Sequence, residues 1–357
     1  MKLEQLLVDL TSAPGVSGRE QRVTSVLVDF LKTGDAKSWV TEVRTDALGN
    51  LIMYKAGSAP NPPRIMFAAH TDEIGLIVTE VKDGFLRFAP VGGVDVRVLL
   101  AQEVVVHGKR DIPGIIGAKP PHIQDPDESN ESVKIEDMLI DTGLPADELK
   151  AQVSVGDFVT IRRELIALRN STFSGKALDD RAGVLALVEC LRRLNGFAHE
   201  ADVYCVATTQ EEVGLRGALV SAFGVEPDVG IAVDVTHGSI PGLAEHEAFD
   251  LGKGPVLAVG PQVHPKVLGQ LKASAEEAGV SYRIEPSPYP GGTDTYAIQM
   301  VREGVPTALV SIPLKYMHTS VETVSIKDIQ DTGRLLAQFV MDLDSKFVEG
   351  LKCFWKS

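Results

Sequence analysis

The chain has 357 residues, 44% hydrophobic and 24% charged, with 35 Lys+Arg against 49 Asp+Glu and a formal net charge of −14. It can bury a large core, which excludes a disordered or collagen-like polymer, and its acidity makes nucleic acid and anionic membrane surfaces poor partners. No apolar run approaches the roughly 20 residues of a membrane span, residues 1–10 read as an amphipathic helix rather than a signal peptide, and three widely spaced cysteines (Cys190, Cys205, Cys353) suit a reducing, cytoplasmic setting.

Residues 2–32 carry apolar side chains at helical spacing, interrupted by Ala13-Pro14-Gly15-Val16-Ser17-Gly18, which predicts two helices joined by a turn. Short β-prone runs at 41–43 and 51–54 flank Leu48-Gly49-Asn50, as in a hairpin. Residues 64–69 form an apolar run that ends abruptly in His70-Thr71-Asp72-Glu73, the pattern of a buried central strand reaching the edge of its sheet. From 74 to 167 the texture changes. Runs at 74–81, 85–90, 103–106 and 158–161, separated by Gly, Pro and charged residues, predict a small β-barrel or sandwich. One helix is expected there, near 133–141, and 120–131 reads as an exposed loop. Beyond 167, helices at 180–194, 265–278 and 326–343 alternate with strands at 201–208, 229–233 and 307–312. The fold class expected is therefore α/β, with a mostly parallel central sheet covered by helices on both faces. Residues 1–72 and 168–357 would form one discontinuous domain, and 73–167 a β-rich insert.

Five groups of acid/base or metal-competent residues fall at the carboxyl ends of predicted strands or at the start of a helix: His70-Thr71-Asp72, Asp179-Asp180, Glu211-Glu212, Asp234 and His318. Ligands of open α/β sheets bind in the crevice outside those strand ends, so residues far apart in sequence are expected to converge. Two imidazoles and several carboxylates, without Cys, form an N/O set suited to Zn²⁺, Co²⁺ or Mn²⁺. Neighbouring Glu211 and Glu212 point in different directions in an extended chain, so one can ligate while the other accepts a proton. Asp72 is close enough in sequence to orient the His70 ring. Taken singly, each motif has an ordinary explanation. A lone His is surface or core filler, Glu-Glu a solvated face, and Asp-Asp before a helix an N-cap. The joint pattern carries the reading. His107, His199, His246 and His264 lack that context; His122 and His237 are ambiguous.

Ala69-His70-Thr71-Asp72-Glu73-Ile74-Gly75, Lys176-Ala177-Leu178-Asp179-Asp180-Arg181-Ala182-Gly183 and Thr209-Gln210-Glu211-Glu212-Val213-Gly214 occur in order, followed by Asp234, Gly291-Gly292-Thr293-Asp294 and Met317-His318-Thr319-Ser320. In combination these strings resemble the dinuclear metallo-aminopeptidases of the glutamyl-aminopeptidase and deblocking-aminopeptidase family, and the resemblance runs the length of the chain. It implies a fold of the zinc-exopeptidase type and two divalent cations per subunit, Zn²⁺ or Co²⁺. His70 and Asp234 would hold one cation, Glu212 and His318 the other, and Asp179 would bridge them. It further implies Glu211 as general base, Asp72 orienting His70, and a cis Asp179–Asp180 peptide. Asp294 is one candidate reader of the substrate α-amino group. The insert would mediate dimerisation, and dimers would build a twelve-subunit tetrahedral particle acting on peptides.

Three other readings remain at the level of sequence. A related metallohydrolase (a carboxypeptidase, dipeptidase or amide deacylase) could use Arg181 or Arg216 to read a carboxylate. A glycosidase would need Glu211 and Glu212 to flank a sugar at roughly 5–10 Å, a poor match for adjacent residues. A metal-stabilised scaffold would assemble without hydrolysis. The preferred N-terminal residue, whether acidic, basic or apolar, is not written in any motif.

Overall fold

A computed structural model describes residues 3–123, 133–244, 247–288 and 291–351. The N-terminal segment forms α1 (Leu3–Ser12) and α2 (Gln21–Leu31), joined by the expected Pro/Gly turn. Val23, Leu27, Phe30 and Leu31 lie on the buried face of α2, an i, i+4, i+7 stripe that drives the helix onto the core. The hairpin follows as β1 (Glu42–Thr45) and β2 (Leu51–Lys55), with Thr45 opposite Leu51. Asp46 closes its turn by accepting N–H groups from Leu48, Gly49 and Asn50. β3 (Arg64–His70) is the expected central strand, buried from Ile65 onward.

Six strands then close into an antiparallel barrel: β4 (Gly75–Lys82), β5 (Phe85–Val91), β6 (Glu103–His107), β7 (Asp111–Ala118), β8 (Met138–Asp141) and β9 (Phe158–Ile161), in the order β4-β5-β8-β7-β6-β9. The helix expected near 133–141 is not there. Ile135–Asp137 make a single 3₁₀ turn and Met138–Asp141 are β8, which pairs with β5 on one edge and β7 on the other. A short apolar run fits either period, and the open slot between β5 and β7 decides for strand. The helix of this region is instead α3 (Ala146–Gln152). Of the expected loop at 120–131, His122 and Ile123 are exposed and 124–131 lies outside the described residues, as do His246 and Cys353.

The remainder comprises β10 (Ile166–Ala167), β11 (Thr172–Gly175), α4 (Leu178–Leu194), β12 (Asp202–Thr208), α5 (Arg216–Val225), β13 (Val229–His237), β14 (Val256–Val259), α6 (Pro265–Glu277), β15 (Arg283–Pro286), α7 (Asp294–Gln299), β16 (Thr307–Lys315), β17 (Glu322–Ser325), α8 (Ile326–Asp342) and α9 (Ser345–Glu349). The main sheet has eleven strands, ordered β1-β2-β12-β3-β13-β16-β17-β11-β10 with β14 and β15 branching from β16. Its centre, β12-β3-β13-β16, is parallel; its flanks are antiparallel.

Side chains alternate across β3. Ile65, Phe67 and Ala69 enter the core beneath α1, α4 and α8, while Met66 and Ala68 enter a smaller core beneath α5 and α7. Period-two alternation with apolar residues on both faces is what a doubly covered strand requires. Truncating fully buried Phe67 to Ala should cost about 3–5 kcal/mol. α4 is buried along its whole length apart from Arg192 and Arg193, as expected of a helix enclosed on all sides. Its close approach to α8 depends on Gly333, where a Cβ would come within 2.6 Å of the Glu189 side chain.

Candidate metal centre

The four parallel strands end at one cleft of about 510 Å³, lined by His70, Asp179, Glu211, Glu212, Asp234 and His318 together with Gly93, Leu215, Val235, Gly292 and Met317. All five sequence groups therefore converge. His70 is the last residue of β3, Glu211 and Glu212 follow β12, and His318 follows β16. Asp234 differs from expectation in that β13 runs on to His237, which leaves the carboxylate inside the strand rather than past its end. Asp179 lies in the first turn of α4 with non-helical backbone angles, and the Asp179–Asp180 peptide is cis.

The carboxylate of Asp179 stands between the two imidazoles. Its Oδ1 is 3.1 Å from His70 Nε2 and its Oδ2 is 3.4 Å from His318 Nε2. Glu212 Oε1 lies 3.3 Å from His318 Nε2, and Glu211 Oε2 lies 4.0 Å from His70 Nε2. The adjacent glutamates open the turn that follows β12, not an extended segment, with Glu211 toward His70 and Glu212 toward His318. Ligand atoms within 4.8 Å of one another form two groups, His70–Asp179–Glu212 and His70–Asp180–Asp234. The second contains Asp180, which sequence reasoning left without a role. His318 is in neither group, yet it is tied to Asp179 and Glu212 by the distances above.

The surroundings hold these groups rigidly. Asp72 is fully buried. Its Oδ1 accepts the Glu211 N–H (3.0 Å) and lies 3.5 Å from His70 Nδ1, while its Oδ2 accepts the Glu212 N–H (3.1 Å) and the Ser17 hydroxyl (2.7 Å). His70 Nδ1 is hydrogen-bonded at 3.1 Å to the Asp72 backbone carbonyl, so Asp72 orients His70 chiefly through its main chain and both glutamates and the N-terminal turn through its carboxylate. Deeper still, Glu73 pairs with Lys176 and Arg181. Arg181 is fully buried, with its donors spent on Glu73 and on the carbonyls of Leu10, Ala13 and Thr71. It cannot read a substrate carboxylate. Asp294, the candidate amine reader, is 2% exposed, lies beneath the cleft and accepts a 2.6 Å hydrogen bond from Thr208.

Two contributors carried no sequence motif that singled them out. Gly93, in the loop after β5, offers its carbonyl to His318 Nδ1 at 3.0 Å, and a Cβ there would sit 2.7 Å from the ring. The Gly92-Gly93 pair was the available signal, as a place where backbone approaches another group closely. Glu322 accepts N–H groups from Leu178 (2.8 Å), Asp179 (3.2 Å) and His318 (3.0 Å). Only its spacing four residues after His318 hinted at this.

The electrostatics describe a donor set in excess of its counter-charges. Hydrogen bonds to Asp179 and Glu212 push His318 up to about 11 despite its burial. Burial alone would lower His70, but Asp179 and Asp72 hold it well above the ordinary imidazole value. Burial, with the charges of Asp234, Asp294 and Glu212, pushes Glu211 up to about 10 against the pull of His70. Burial and Asp179 push Asp234 up to about 8. Asp180, raised by burial and by Asp234, keeps a buried Oδ2 without a hydrogen-bond partner. Carboxylates crowded out of water against one another, with two imidazoles among them, are what divalent cations relieve, and the N/O donor set fits Zn²⁺ or Co²⁺.

Fold and site together define an α/β protein with candidate metal-binding residues at the carboxyl ends of its central strands. A family profile for the M42 glutamyl aminopeptidases matches residues 49–335, and the chain belongs to that family. It is 37% identical over 345 residues to a lysyl aminopeptidase of Pyrococcus furiosus, covering 95% of this chain and 97% of the relative. The fold matches the TET aminopeptidase of the marine sediment archaeon Thaumarchaeota archaeon SCGC AB-539-E09 at a TM-score of 0.91, with 36% identity over 98% of this chain and 99% of the other. It also matches the TET1 peptidase of Pyrococcus horikoshii, described as able to assemble into a tetrahedron or a large octahedral shell, at a TM-score of 0.84 with 32% identity over 96% of this chain and all of the other.

Proposed function

We propose that this chain is a metal-dependent aminopeptidase that removes N-terminal residues from peptides, with two divalent cations per subunit. The observation that carries the reading is the Asp179 carboxylate set between the His70 and His318 imidazoles, one oxygen toward each. His70 and Asp234 would hold one cation, Glu212 and His318 the other, and Asp179 would serve both. When bound, Zn²⁺ or Co²⁺ supplies Lewis acidity toward the scissile carbonyl and makes water acidic near neutral pH.

Glu211 is the base. It faces the cleft beside His70 without being needed by either cation. In the cation-free chain burial, reinforced by the charges of the neighbouring carboxylates, pushes it up to about 10, so it holds its proton at neutral pH. Positive charge in the cluster reverses that repulsion and leaves it able to take a proton from the attacking water and return it to the leaving amine. Asp72 keeps the His70 ring and the backbone of Glu211 and Glu212 in register for this transfer. Arg181, spent on Glu73 and backbone carbonyls, is unavailable to the carboxypeptidase alternative, which leaves it exposed Arg216 as carboxylate reader.

The names of the relatives support peptides as substrates and a homo-oligomer as the working form. Phe85, Leu100, Ile115 and Val155 are exposed apolar side chains on or beside the barrel, in keeping with dimerisation through the 73–167 insert, and the tetrahedral dodecamer is proposed from the assembly of the TET relatives. Free, buried Cys190 and Cys205 fit a reducing, cytoplasmic setting. Among the described residues no helix is long and apolar enough to cross a membrane.

The test is mass spectrometry of a peptide and its N-acetylated twin incubated with Zn²⁺- or Co²⁺-loaded protein, with and without EDTA. Stepwise N-terminal shortening of the free peptide that EDTA stops is the expected result. Loss from the C-terminus, or cation uptake without hydrolysis, sinks the reading.

A further inference from the structure

Among the buried carboxylates behind the cleft that line no part of it, Asp72 and Glu322 each gather ligand-bearing segments through backbone N–H groups. Asp72 gathers His70, Glu211 and Glu212. Of the remaining segments, those around Asp179 and His318 come from distant parts of the chain and meet on Glu322. We propose that Glu322 is the positioning residue that fixes Asp179 relative to His318 and so sets the affinity for the cation held at Glu212 and His318. The inference rests on the dinuclear reading above.

Strand register delivers the side chain. β17 pairs antiparallel with β11, and Glu322 lies opposite Gly175, immediately before the Ala177–Asp179 segment. Glu322 is 2% exposed. Its Oε2 accepts the Leu178 and Asp179 N–H groups, and its Oε1 accepts the His318 N–H. Both ligand-bearing segments are in conformations that L-residues rarely adopt, with φ of 56° at Ala177, 58° at Tyr316 and 61° at His318. Left to themselves these segments would relax and carry the ligand side chains with them. The three groups that point at Glu322 are all donors, so both of its oxygens are needed as acceptors.

Glu322→Gln keeps the shape but replaces one acceptor oxygen with an NH₂ donor, which must confront an N–H group. The experiment is calorimetric titration of Zn²⁺ into the metal-free full-length protein. The wild type should take up two cations. Glu322→Gln should bind one cation about 10–100-fold more weakly and the other, which shares Asp179 but not His318, less weakly than that. Glu322→Asp, which keeps the charge but draws it back, should fall between them and provides the measurement if the Gln variant does not fold. Asp328→Asn is the control for a merely structural effect. Asp328 accepts the N–H groups of Gly252 and Gly254 outside the cleft, so its replacement should lower Tm and leave both affinities unchanged. Two wild-type affinities in the Glu322 variants overturn the proposal alone. A wild type that takes up fewer than two cations overturns the dinuclear reading and this one with it.

Discussion

The barrel and the crevice of the main sheet are built on opposite terms. Between Gly75 and Ile161 the only buried polar or charged side chain among the described residues is Thr160; the rest of that core is Leu, Val, Ile, Met and Phe. Within one helical turn of the cleft, by contrast, His70, Asp72, Glu73, Lys176, Asp179, Asp180, Arg181, Glu211, Asp234, Asp294 and Glu322 are all buried. Removing aliphatic surface from water needs no partner and little pH control, so the barrel is self-sufficient. Burying charges costs several kcal/mol each unless they are paired or coordinated, so the crevice is a strained electrostatic object whose strain is directed at cations. Stability and chemistry are thereby separated in space, and the contrast can be broken by experiment.

The largest effect expected is on turnover. Glu211→Gln should lower kcat by about 10²–10⁴-fold, the range for loss of a positioned base, with metal content by elemental analysis near that of the wild type. Retained turnover would end the assignment of Glu211 as base. On the barrel side, Ile140→Ala removes a fully buried side chain between β5 and β7. It should cost about 2–5 kcal/mol in denaturant unfolding while the Zn²⁺ isotherm of the folded protein stays unchanged. A shifted isotherm would show that the regions are not independent.

They touch at one informative place. Gly93→Ala introduces a Cβ 2.7 Å from the His318 ring and should displace that imidazole. About a tenfold loss in affinity for one cation is expected, against wild-type affinity for the other. Equal weakening of both would mean that the loop supports the whole cleft.

The smallest effect concerns the tie between α2 and the barrel. Arg22 donates to Asp111 on β7, with His107 at 2.9 Å from the same carboxylate. The Arg22 hydrogen bond holds Asp111 down to about 2. A depressed carboxylate stabilises the fold above its unfolded value of about 3.9 and loses that contribution as pH falls towards 2. The pair is well exposed, with side chains 55% and 43% accessible, so the contribution is at most about 1 kcal/mol. Asp111→Asn should therefore be slightly less stable than wild type at pH 6, with the gap closing between about pH 4 and 2. A gap that is constant with pH would remove the electrostatic account.

Most of the site was legible because its residues announce themselves locally. RIMFAA followed by His70 reads as a buried strand meeting the edge of its sheet, and acids accumulate after several such strands. Asp72 was legible as a partner of His70, but its hold on the Glu211 and Glu212 amides was not, because backbone donors leave no mark in sequence. Arg181 was ambiguous for a related reason. An arginine beside a metal motif reads equally well as substrate clamp or buried brace, and only its surroundings of Glu73 and three carbonyls choose between them. The 133–141 segment was read as helix because its apolar spacing is short enough to fit two periods.

By itself, then, the chain's pattern of apolar runs and breakers determined the α/β body, the interrupting β-rich segment and the strand-end placement of His70, Glu211, Glu212 and His318, since each depends on neighbours within a few residues. Tertiary structure decided the rest. The antiparallel flanks of the sheet, the strand at Met138–Asp141, the meeting of Gly93 with His318 and the position of Glu322 under Asp179 all depend on which distant segments pair. That is fixed by register and closure across the sheet and barrel, and no local window of sequence contains it.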